Sequence, residues 1–348
     1  MNKWTFIITL LFCNHAFSAD NSCSTVNLTS NNQIFNGIPT YDQGGGQICF
    51  AYTAAQIIEG QRVMGGHKYN KDKAINPLSI ALSLAIKSGQ TDLQQGGVAC
   101  AAVNHARKNP VCPVSKSFKT AAEIEGHIDE FKECSKNPES QKCKTLATKF
   151  NCNPKVFGQN NALIYVKAIE DSKCPDSEKI RLNIPECVYT NDESKPNTHF
   201  KKLVDNVFNS KKPRPVEIGY SMNLLTYSGI EKGSYKVARK IEENVVDFSL
   251  RYKPHSSILL GRRMNKNGKC QYLLRNTQGK DFCPSGIASR MGWECDKKSE
   301  GIWINEKELF ESTFQISNVS ENPKVEDSID EFLNLNATPP STMCHPII

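Results

Sequence analysis

An α+β fold is predicted, with a helical lobe first and an antiparallel β lobe after it. Three observations predict it. Small and apolar residues recur at helical spacing between residue 49 and about 108. Short apolar runs bounded by Gly and Asn turns dominate from about 213. The stretch between them is polar, charged and rich in cysteine. Helices early and strands late are segregated rather than alternating, which separates α+β from a parallel α/β sheet.

Residues 1–19 are expected to be a secretory signal peptide. Asn2-Lys3 supply a polar start with one positive charge, Phe6 to Phe12 a short apolar run, and Ala16-Phe17-Ser18-Ala19 small residues for cleavage. The run is too short for a membrane span, which needs about 20 residues. Residues 20–111 form an N-terminal arm and the helical lobe. A polar stretch reaches about residue 35, and Asp42 to Gly46 is a glycine-rich turn. Ala51, Ala54, Ala55, Ile57 and Ile58 mark a largely buried helix over about 49–63, ended by Gly65-Gly66. Pro77 opens a second apolar helix running to Ile86, a position where its missing N–H costs nothing. Gly96-Gly97 is a turn before a third helix over about 98–108.

Residues 112–212 read as an insertion of short helices stapled by disulfides, with six cysteines from Cys112 to Cys187. Residues 213–320 form the β lobe. Its predicted strands are Val216–Tyr220, Ser256–Gly261, Cys270–Arg275 after the turn Asn265–Gly268, and Gly301–Ile304. Residues 321–348, polar and carrying Pro339-Pro340, read as a surface tail.

Composition excludes several functions. The net charge of +7 is spread through Lys/Glu/Asp mixtures with no basic block, so no nucleic-acid groove is expected. No later run of about 18 apolar residues exists, so no membrane insertion is expected. Of 14 cysteines, Cys13 leaves with the signal peptide, and the remaining odd number suggests one free thiol. The other twelve suffice for up to six disulfides of unreadable pairing, which fits a secreted or periplasmic protein. No C-x-x-C pair occurs, and the adjacent Cys344-His345 is poor geometry for a tetrahedral site, so neither a metal nor a cofactor is expected.

One constellation carries chemistry. Cys49 stands at the predicted start of a buried helix, where partial positive charge favours a thiolate. Gln43 lies six residues upstream across the glycines, and its amide, with freed backbone N–H groups, suits an oxyanion. Among the histidines only His255 opens a small-then-apolar strand. Asn276 ends the next strand, 21 residues on, before a tight Thr277-Gln278-Gly279 turn. Adjacent hairpin strands bring two such side chains together, and the carboxamide would fix the imidazole's tautomer and plane.

The run Asp42-Gln43-Gly44-Gly45-Gly46-Gln47-Ile48-Cys49-Phe50-Ala51-Tyr52 resembles the papain-family signature, a Gln-Gly followed by Cys, an aromatic, Ala and another aromatic. The resemblance continues in order over roughly 35–110 and 213–312. It covers Leu78-Ser79, Gln95-Gly96-Gly97, His255 with its small followers, Asn276-Thr277-Gln278-Gly279, and Trp303 in the late strand. It implies a two-lobe cysteine endopeptidase acting on protein or peptide substrates as a monomer. Cys49 would be the nucleophile, His255 its base, Asn276 the orienting residue and Gln43 the oxyanion donor. Gly96 and Gly97 would line the substrate cleft.

The chain departs from the family in several places. Cys49 and His255 are 206 residues apart, against about 130–150 for the family, a gap the 112–212 insertion accounts for. Gln278 stands where the family has a tryptophan shielding the Asn–His bond, Pro254 where it has an Asp, and Gly46 and Gln94 where it has a paired cysteine. About 30 residues lie between the expected cleavage site and Cys49, too few for the family's long inhibitory pro-segment. Two other readings follow from the same fold: a catalytically silent peptide binder, and another acyl-transfer enzyme such as an amidase or transpeptidase.

Overall fold

The computed structural model describes residues 23–31, 33–44, 46–93, 96–150, 157, 162–190, 196–236 and 254–319. The expected signal peptide, the tail, Gln94, Gln95, Cys152, Cys344 and His345 lie outside the described residues.

The chain enters the sheet at once. Strand β1 (Val26–Asn27) pairs with Arg262 and Gly261 much later in the sequence. The arm then crosses the molecule. Leu28, Phe35 and Ile38 are buried although this stretch is polar by composition. The arm is held by a Cys23–Cys270 disulfide, by Arg275 donating to the Ile38 carbonyl at 2.8 Å, and by Glu300 accepting from the Thr40 amide at 2.7 Å.

Helix α1 (Cys49–Met64) follows and is buried continuously from Phe50 to Gln61. Its small residues let neighbours close in on every side: α2 (Pro77–Lys87), α3 (Ala99–Lys108) and, across the lobe boundary, the long strand of the β lobe. Asn76 caps α2, its side chain accepting the amides of Leu78 and Ser79.

The 112–212 stretch is more than short helices. Helix α4 (Ala121–Lys136) has 16 residues, and α5 (Gln141–Phe150) and α6 (Ala162–Lys173) follow it. Ile124, Ile128 and Phe131 on α4 meet Phe150, Phe157 and Tyr165 in an aromatic cluster continuous with the core around α1–α3. Disulfides Cys112–Cys174 and Cys134–Cys143 lie inside it, and Cys100–Cys187 ties α3 to strand β2 (Cys187–Thr190). Charged residues between the apolar positions hide this periodicity in the sequence.

Helix α7 (Asn197–Phe208) leads into the β lobe. Its strands are β3 (Val216–Ser221), β4 (Pro254–Met264), β5 (Cys270–Arg275), β6 (Glu294–Asp296), β7 (Gly301–Asn305) and β8 (Thr313–Val319). The short α8 (Tyr227–Glu231), α9 (Ser285–Met291) and α10 (Glu306–Ser312) connect them. The order is β2-β8-β3-β4-β5-β7-β6, with antiparallel pairing and β1 on β4. The four predicted strands are β3, β4, β5 and β7, and the α+β class holds. Strand β8 was not foreseen, because its Gln315, Ser317 and Asn318 break the apolar run. A second core, built on Val216, Ile218, Tyr220, Leu259, Tyr272 and Phe310, fills the far face of this sheet.

Five disulfides occur among the described residues, the fifth being Cys283–Cys295, and no helix there is long and apolar enough to cross a membrane.

Candidate active site

Helix α1 begins with Cys49 itself, after an Ile48 N-cap that offers no side-chain acceptor. Cys49 is the one free cysteine among the described residues and is partly exposed. It opens into a groove of about 710 Å³ between the two lobes. Gln43, Gly96, Gly97, His255 and Gln278 line the same groove. Gly97 is required there: a Cβ at this position would lie 2.9 Å from the ring of Phe50, the residue after Cys49. No described residue of 112–200 lines this groove.

Strand β4 carries His255 as its second residue, and β4 and β5 run as an antiparallel pair. Asn276 follows directly on β5, and its Oδ1 lies 2.6 Å from His255 Nε2. The oxygen is identified by its neighbours. The Thr277 amide donates to it at 2.8 Å, and a backbone N–H has no acceptor role. Ser257 Oγ donates to the same oxygen at 3.2 Å. An acceptor at this place requires the proton of a neutral His255 on Nε2 and leaves Nδ1 as the basic nitrogen. Asn276 Nδ2 donates to Gln278 Oε1 at 3.2 Å, so a side-chain amide covers this end of the pair. Asn276 is 3 % exposed and His255 7 %, which keeps water from competing for their bond. Tyr220 meets the imidazole edge-on, ring centres 5.6 Å apart.

Gln43 is tied to the same turn. Its backbone N–H donates to the Thr277 carbonyl at 2.8 Å, and its Nε2 donates to the Gly46 carbonyl at 3.0 Å. The Thr277 hydroxyl donates to Gln43 Oε1. The amide is therefore held at both ends, with one Nε2 proton left over. Thr277, fully buried, was read in the sequence only as part of a turn. Ser257 was read only as a small strand residue.

The electrostatics correct one expectation. Burial pushes the Cys49 thiol above its ordinary value, although hydrogen bonds from the backbone at Ser256, Phe50 and Cys49 pull it down. The Glu217 charge adds to the rise. Burial likewise pushes His255 below its ordinary value, against the opposing pull of Asn276. The helix N-terminus alone does not make a thiolate here. The Ser256 backbone at the sulfur puts Cys49 beside the residue next to His255, so two groups that each resist charge lie together.

Solved structures similar to this chain include cysteine proteases. Xylellain from Xylella fastidiosa is 13% identical, with 84% of this chain and 82% of that chain covered and a TM-score of 0.39. The ragweed pollen allergen Amb a 11, a cysteine protease in its proform, is 12% identical over 86% of this chain and 67% of that one, with a TM-score of 0.44. Digestive procathepsin L 3 of Tenebrio molitor is 12% identical over 83% and 71%, at 0.41. No protein-family model matches the chain, and no curated protein matches it.

Proposed function

We propose that this protein is a papain-like cysteine endopeptidase, secreted or periplasmic, that hydrolyses peptide bonds in protein or peptide substrates as a monomer. The observation that carries the reading is a free cysteine at a helix tip sharing a groove with an imidazole whose far nitrogen is bonded to Asn276. Disulfides elsewhere in the chain support an oxidising compartment, in which an unpaired exposed thiol calls for a purpose.

The chemistry follows from the geometry. His255 Nδ1 takes the thiol proton, and the sulfur attacks the scissile carbonyl carbon. A thiolate and an imidazolium formed together neutralise one another, so the pair avoids the burial penalty each group bears alone. The spare Nε2 proton of Gln43 and the Cys49 backbone N–H stabilise the oxyanion. The imidazolium then protonates the leaving amine, and water, deprotonated by His255, releases the acyl group from sulfur. Gly96 and Gly97 offer backbone to an extended substrate.

The test is alkylation of the purified protein with iodoacetamide alongside hydrolysis of casein. Expected are one label per molecule, at Cys49, faster than for a free thiol at pH 6, and loss of hydrolysis in step with labelling. Slow labelling without hydrolysis would leave the binder reading.

Thr277 is a positioning residue in this scheme. Thr277→Val keeps the shape but removes the hydroxyl from Gln43 Oε1. We expect kcat to fall about tenfold or more with KM little changed, because a misaimed oxyanion donor acts only in the transition state. Thr277→Ser should restore it. Equal losses in both variants would reduce Thr277 to a packing residue.

A further inference from the structure

Four carboxylates of this chain are buried among the described residues: Glu59, Glu170, Asp205 and Glu217. Three have cations. Arg62 pairs with Glu59 at 2.8 Å, Lys167 with Glu170 at 3.2 Å, and Arg262 with Asp205. Glu217, 1 % exposed, has no Lys or Arg partner among the described residues. Its oxygens meet only neutral donors. Ser256 Oγ and Gln315 Nε2 reach Oε1 at 3.1 and 3.2 Å, and Gln315 Nε2 at 3.2 Å and Ser317 Oγ reach Oε2.

Strand register explains where this carboxylate stands. On β3, Val216, Ile218 and Tyr220 enter the second core, so Glu217 and Gly219 belong to the opposite face. Gly219 is opposite Ser256 on β4 and Gln315 on β8, and Glu217 is opposite Ser317. These residues form a polar floor, and Glu217, Gly219, Ser256 and Gln315 line the groove that holds Cys49 and His255. Gly219 keeps the floor bare: a Cβ there would lie 2.9 Å from the Phe314 ring. Although the chain carries +7 overall, no Lys or Arg is among the described residues lining the groove. An unpaired buried charge is costly, and a site built around one is completed by a ligand that brings the opposite charge.

We propose that Glu217 is the acidic floor of a side-chain pocket, and that the enzyme selects substrates with Arg or Lys close to the scissile bond. The proposal rests on the reading of Cys49 as nucleophile. The neutral donors hold the carboxylate in place without cancelling its charge, so the substrate's guanidinium or ammonium is its first full counter-ion. Burial pushes the Glu217 carboxyl above its ordinary value, and an arriving cation reverses that pull.

The test uses peptidyl epoxides that alkylate Cys49, with Arg placed in turn at each of the three positions before the reactive group. A matched series carries citrulline, the uncharged isostere of Arg. Rates of Cys49 labelling are read by mass spectrometry and normalised to iodoacetamide. At one position Arg should outpace citrulline by about 30-fold or more, the lower end of what an unpaired buried partner costs. In Glu217→Gln the ratio should collapse towards one, and Glu217→Asp, which keeps the charge, should recover part of it. Equal rates for Arg and citrulline in the wild type, or a ratio unchanged in Glu217→Gln, overturn the proposal while leaving the nucleophile in place. Should Glu217→Gln fail to fold, the wild-type and Glu217→Asp ratios decide. Failure of Cys49 to react with any epoxide removes the nucleophile reading and this proposal with it.

Discussion

Cys49→Ala should abolish peptide hydrolysis, by a factor on the order of a million in kcat, and should leave the fold in place. The size follows from losing the group that forms the acyl intermediate in the proposed scheme. What remains is whatever binding and the oxyanion donors contribute over water. Stability should change by less than about 1 kcal/mol. Cys49 is a partly exposed first residue of a helix, it closes no disulfide, and Ala is the best helix former. Hydrolysis rates and a melting curve check both halves. The variant should still bind peptides, because the groove walls and Glu217 are untouched. Substantial hydrolysis by Cys49→Ala would place the chemistry elsewhere and sink the scheme.

The parts of the site that depend on local backbone were legible in the sequence, and those that depend on distant pairing were not. A glycine turn running into a small-residue helix marks Cys49, and two strands joined by a short turn carry His255 and Asn276. Glu217 was invisible for the opposite reason. Its donors come from Ser256 on β4 and from Gln315 and Ser317 on β8, and β8 lies about 100 residues on. Polar residues in a strand read as a solvent face unless the neighbouring strands are known. Burial was hidden in the same way. The sequence places Cys49 at a helix tip and so predicts a depressed thiol, but the packing of α1 against β4 removes the water that would solvate the charge. The 112–212 stretch shows the limit of composition: most of its described lysines and glutamates reach the surface, with Glu170 buried, while Phe131, Phe150 and Phe157 are spaced too widely to announce a core.

His255→Ala should lower kcat by a comparable factor, and the pH dependence of alkylation tells a chemical role from a structural one. In the proposed scheme the wild-type imidazole accepts the thiol proton, so Cys49 should react with iodoacetamide at mildly acidic pH. Without the ring, burial and Glu217 still raise the thiol above its ordinary value of 9.0, outweighing the backbone hydrogen bonds at Ser256, Phe50 and Cys49 that lower it. Labelling at pH 6 should therefore become slower than for an exposed thiol and recover only in alkaline solution. In Cys49→Ala, where no thiolate faces the ring, burial holds His255 below its ordinary value of 6.5, so the unfolded chain binds a proton the folded chain resists. That term leaves stability intact above pH 6.5 and erodes it as pH falls below. Adding His255→Ala to Cys49→Ala removes it and should flatten the acid side of that variant's stability profile. Asn276→Ala deletes the bond that raises His255, so the ring should titrate lower still and lose its fixed tautomer. If His255→Ala leaves the alkylation profile unchanged, the thiol and the imidazole are not partners, and the groove is a binding site rather than an active one.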